Sequence, residues 1–89
     1  ARTTLQLMAS PNPFHEQLLV PIYTSKALES ATLEVYNLQG QLLYARTLSI
    51  PADFPTLVEI EANNWPQGVY LLRLKTGGKE MAVQKVIKV

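Results

Sequence analysis

Cysteine is absent from the 89 residues, which excludes a disulfide, a thiolate nucleophile and a Cys-ligated metal. Histidine occurs once, at His15. A His-rich metal site is therefore excluded, and a Ser/His/Asp triad would have to use that one ring beside a proline-bounded turn. An exposed, chemically idle histidine is the expectation. Charge is also sparse: Asp, Glu, Lys and Arg make up 17% of the chain and the net charge is +1, against an average charged fraction of about 25%. Such a balance makes no electrostatic case for nucleic acid, which needs a basic face or a strongly basic domain, although the C-terminal segment is the basic end of the chain. No apolar run approaches the roughly 18 residues of a membrane-spanning helix. The opening "ARTTLQLMAS" lacks the charged, apolar and cleavage regions of a signal peptide, so an export signal would belong to a longer precursor. Phosphate-binding glycine loops, Asn-x-Ser/Thr sites, interdomain linkers and internal repeats are missing as well.

What remains is 47% apolar, a composition that fits one compact β domain over residues 1–89 and argues against disorder. No segment holds a 3.6-residue apolar period. Short β-rich runs instead recur with turn residues between them, at roughly 4–9, 16–23, 31–37, 41–50, 56–62, 69–76 and 79–89; residues 1–9 are read as a first strand or a residual linker. Such spacing marks an all-β sandwich or barrel. Alternation is clearest in "LVEIEA", where Val58, Ile60 and Ala62 share one face and Glu59 and Glu61 the other, the signature of a half-buried strand. "VYLLRLKT" places Tyr70, Leu72 and Leu74 against Arg73 and Lys75, and "ATLEVYN" places Leu33 and Val35 against Thr32 and Glu34. "EQLLVPIY" is apolar on both faces, but Pro21 cannot donate to a ladder and predicts an edge strand or a bulge.

Turn chemistry separates these runs. "SPNPF" (10–14) carries two prolines, "NLQGQ" (37–41) offers Asn37 and Gly40, "NNWPQG" (63–68) has Pro66 and Gly68, and "TGGK" (76–79) is a two-glycine hairpin signal. Glu59 and Glu61 resemble a carboxylate pair, yet acids opposite an apolar face are ordinarily just solvated. Trp65, beside a Pro-Gly turn, is expected to plug one end of the core; the competing role is a carbohydrate platform. Tyr70, just after that turn, fits the corner tyrosine of immunoglobulin-like sandwiches, whose hydroxyl bonds nearby backbone. In the final run Met81, Val83, Lys85, Ile87 and Val89 form the more apolar phase. A lysine on the apolar face of a terminal strand is expected to guard an exposed edge against uncontrolled pairing.

Four of these stretches occur in the order of one known family. "SPNPF", "LEVYNLQGQLL", "WPQGVYLLRLKTGGK" and the closing "KVIKV" resemble the C-terminal sorting domain of the type IX secretion system over residues 10–89. Trp65 departs from the usual leucine, a packing change. The resemblance implies a seven-stranded immunoglobulin-like antiparallel β-sandwich, not itself an enzyme and without a cofactor, at the tail of a larger exported cargo. After export across the inner membrane and transit through the periplasm, an outer-membrane translocon would recognise the domain. A sortase would then remove it, commonly joining the cargo to anionic lipopolysaccharide at the cell surface. The implied recognition residues are Lys85, Val86, Ile87, Lys88 and Val89. Pro11, Asn12, Pro13, Gly40, Gly68, Val69 and Tyr70 are motif positions with structural roles. Two other readings of the residues stay open. One is a fibronectin-like or carbohydrate-binding module using Trp65, Tyr36 or Tyr44; the other is a spacer domain. Sheet edges also leave self-association open.

Overall fold

Seven strands build two antiparallel sheets in the computed structural model, which describes residues 5–7 and 14–89. They are β1 (Leu5–Leu7), β2 (Gln17–Thr24), β3 (Leu28–Asn37), β4 (Leu42–Ile50), β5 (Thr56–Glu61), β6 (Gly68–Thr76) and β7 (Lys79–Lys88). One sheet runs β1-β2-β5 and the other β4-β3-β6-β7. The result is an immunoglobulin-like sandwich.

Period-two patterning explains how the sheets face each other. Leu18, Val20 and Ile22 of β2 and Val58 and Ile60 of β5 are buried, with Ala62 just beyond; facing them are Leu33 and Val35 of β3 and Leu72 and Leu74 of β6. Fully burying an aliphatic side chain of this size contributes about 1.5–3 kcal/mol, so these facing rows supply the main drive for closure. The alternating polar residues point out, as expected for Thr32, Glu34, Glu59, Glu61, Arg73 and Lys75. On the outside of the smaller sheet, Gln17 donates to both Glu59 and Glu61 at 3.3–3.4 Å, so that carboxylate pair sits in a surface hydrogen-bond network.

Two local expectations change. Pro21 lies on the middle strand of the smaller sheet, not on an edge, and β2 carries no register shift against β5. The described part of β1 ends opposite Ile22, one residue short of Pro21, so no described β1 residue faces the proline's missing donor. β3 begins at Leu28, three residues before the apolar alternation. A register shift between Leu28 and Ala31 accommodates the polar Glu29 and Ser30, whose carbonyls accept bonds from Ser49 and Thr76. The β6–β7 hairpin turns as its glycines require. Gly77 and Gly78 have φ of 58° and 75°, the pair of positive values that a two-residue turn matched to strand twist needs.

Candidate functional site at the end of the last strand

Cross-strand pairing decides which face of β7 is which, because partners directly opposite lie on the same side of a sheet. The inward Tyr70, Leu72 and Leu74 of β6 pair with Val86, Gln84 and Ala82. Val86 and Lys88 are therefore inside, while Lys85, Ile87 and Val89 face out. The expected phase is reversed: Lys85 does not interrupt a core-facing row, and the lysine on the inner face is Lys88, 8% exposed. The cause is a bulge. Leu74 pairs with Ala82 but Lys75 with Glu80, leaving Met81 as an extra residue, and such a one-residue slip exchanges the two faces.

The end of β7 is held on both sides. Gly68, Val69 and Tyr70 pair with Lys88, Ile87 and Val86 on one side. On the other, Phe14 forms a parallel bridge with Lys88: its N–H donates to the Ile87 carbonyl (2.8 Å), and the Val89 N–H donates to the Phe14 carbonyl (2.9 Å). Two side chains tighten this clamp. The Lys88 ammonium donates to the His15 carbonyl, and the His15 ring donates through Nδ1 to the Val89 carbonyl at 2.9 Å. An ammonium taken from water needs such a partner, since unpaired burial of a charge is costly. Over its last residues, then, the strand is not an open edge.

An aromatic cluster anchors the clamp. The Phe14 ring is buried and meets Trp65 edge-on at 6.0 Å and Tyr70 at 6.3 Å, while Trp65 and Tyr70 rings lie 5.2 Å apart. Trp65 thus packs against the core end, as the plug reading expects, and is not laid open as a platform. The Tyr70 hydroxyl donates to the Pro66 carbonyl four residues upstream, the corner arrangement, and burial pushes its pKa up. Gly40, at φ 84°, completes the 37–41 turn, in which the Asn37 side-chain oxygen accepts from the N–H groups of Gln39 and Gln41. Gly68, at φ 152°, starts β6 opposite Lys88.

The five terminal residues are therefore brought together but split between faces, with Val69 beside Ile87 on the outer one. Pro11, Asn12 and Pro13 lie outside the described residues. Sequence reasoning missed Phe14 and His15. The available signal was the first large apolar residue after the two prolines, which the turn reading absorbed. Elsewhere on the outer face the charges pair internally. Arg73 binds Glu80 at 2.9 Å and sits 5.2 Å over the Tyr36 ring; Lys75 binds Glu34 at 3.2 Å. Burial works against the Glu34 charge, but Lys75, the Tyr36 hydroxyl and Arg73 outweigh it and hold its pKa below the ordinary value.

A family model described as a secretion system C-terminal sorting domain matches residues 9–89. No curated protein matches the chain. Among solved structures it is similar to dimeric latent PorU from Porphyromonas gingivalis, at 19% identity and a TM-score of 0.77, covering 100% of this chain and 10% of that one. It is also similar to the CARDB domain of a Pyrococcus furiosus protein in complex with di-metal ions (14% identity, TM-score 0.58, covering 99% and 88%). A third likeness is to a β-glucosidase from Listeria innocua in complex with glucose (13%, 0.51, covering 97% and 16%). At these identities the likenesses establish the fold alone, and the chain spans about a tenth of the PorU chain.

Proposed function

The chain belongs to the family of C-terminal sorting domains of the type IX secretion system, and from that premise we propose how its last strand is read. The domain is a C-terminal secretion signal that sends a cargo to the cell surface or the extracellular space. In our reading it has no catalysis of its own, residues 1–89 act as one unit behind the cargo, and transit runs through the periplasm to an outer-membrane translocon. A sortase then severs it from the cargo.

The supporting observation is the presentation of Lys85, Ile87 and Val89 outward on a strand end whose backbone is already paired on both sides. A backbone already fixed in this way has little further ordering to undergo on binding, which favours recognition of the side chains it displays. Val86 and Lys88 serve by holding this geometry. The platform reading is not favoured: Trp65 and Tyr44 pack against the core, and Tyr36 bonds Glu34 beneath Arg73.

Deleting residues 85–89 would remove the clamp as well as the displayed groups, so the informative variant alters the outer face alone. A periplasmic reporter carrying residues 1–89, in a host with the secretion system, should reach the surface. With Lys85→Ala, Ile87→Ser and Val89→Ser combined, it should stay inside while the isolated domain melts cooperatively as before. Normal surface display of that folded variant would refute the assignment.

A further inference from the structure

Next to Val69, the turn at 37–41 and the turn before β6 enclose an open groove of about 490 Å³. Its lining includes Leu38, Leu43 and Val69 and holds no charged side chain. Leu38 is 67% exposed, and Ile87 and Val89 are 37% and 49% exposed. Val69 lines this groove and is also the cross-strand partner of Ile87. Exposed or half-buried apolar side chains therefore follow one another from Leu38 in the 37–41 turn through Val69 on β6 to Ile87 on β7, with the polar Asn37, Gln39, Gln41 and Gln67 beside them. Contiguous exposed apolar surface of this kind, bordered by polar groups, marks an interaction site.

We propose that the sorting signal is a composite surface of the folded domain, in which Leu38, Leu43 and Val69 join Ile87 and Val89, with Lys85 at the rim. This deepens the reading above and rests on it. The occupant is a protein surface with an apolar centre and a carboxylate rim. Charge supports that choice: on this outer face Arg73, Lys75 and Lys85 outnumber the acids Glu34 and Glu80. Glu80 and Glu34 are engaged by Arg73 and Lys75, so the rim beside the apolar strip stays basic overall. Because the strip draws on three strands and a turn, a short C-terminal peptide cannot reproduce it.

The test places a photoreactive phenylalanine analogue in turn at positions 38, 87 and 57 of the 1–89 reporter fusion, in cells that secrete it. Leu57, exposed on the opposite sheet, is the control. The proposal expects one protein adduct common to positions 38 and 87 and absent at 57. It also expects Leu38→Asp with Leu43→Asp to lower surface display by about tenfold or more, the loss typical of central interface residues. Lys85→Glu should weaken the adduct. An adduct from 87 but not 38, an adduct with lipid only, or full display of the Leu38/Leu43 variant overturns the composite surface while leaving strand reading intact. An adduct undiminished by Lys85→Glu overturns the acidic partner. Failure of the reading itself shows separately, as normal display of the Lys85/Ile87/Val89 variant.

Discussion

Lys85 and Lys88 stand three residues apart on one strand, yet the fold treats them oppositely. Lys88 is buried at the sandwich end and bonded to the His15 carbonyl, whereas Lys85 projects from the outer face. Behind Lys88 stand Phe14, Trp65, Tyr70 and two backbone bonds; around Lys85 stand an apolar strip and surface ion pairs. The inner face holds the strand in place and the outer face displays it. A family resemblance alone treats the closing residues as one motif, but their physical roles divide by alternation.

The sharpest way to break this division is to remove its anchor. Phe14→Ala should destabilise the domain by about 3–5 kcal/mol, the usual range for deleting a buried phenylalanine, read as a lower midpoint in urea. A near-wild-type midpoint would show that the clamp contributes little. The two lysines give the next contrast. Lys88→Ala removes a charge-assisted hydrogen bond to the partly buried His15 carbonyl, which costs about 1.5–3 kcal/mol. Lys85→Ala should shift stability by no more than about 0.5 kcal/mol. Equal midpoints for the two variants would erase the distinction between faces.

The smallest effect concerns charge on the outer face. Because Glu34 is held below its ordinary pKa of 4.5, the folded state binds fewer protons there than the unfolded chain. Its contribution is present above about pH 4.5 and is lost as pH falls through the lower folded value. Glu34→Gln should therefore lower stability slightly at neutral pH, where that contribution is present, leave stability well below pH 4.5 nearly unchanged, and so flatten the acid limb between them. An unaltered acid limb would remove Glu34 from the account.

Local patterning carried most of the architecture. Alternation in Val58–Ile60–Ala62 and Tyr70–Leu72–Leu74 reports burial directly, since side chains of a strand alternate between faces. The Gly77–Gly78 turn and the Tyr70 corner were likewise legible, because each follows from residues within a few positions. The phase of β7 was not. Val83, Ile87 and Val89 outnumber the apolar residues of the inner phase, so counting favoured the wrong face, and the bulge at Met81 is fixed only by pairing with β6. The clamp was illegible for a related reason: Phe14 and Lys88 are 74 positions apart, and no local period links them.

Short-range alternation, turn residues and ordered motifs were enough to read the class of fold, the strand count, the main core rows and the family from the chain. Which side of the last strand meets the core, the place of Pro21 on a middle strand and the closure of Phe14 over Lys88 emerge only once the sheets are assembled. Those outcomes depend on register and on contacts between distant segments, where a shift of one residue exchanges inside for outside.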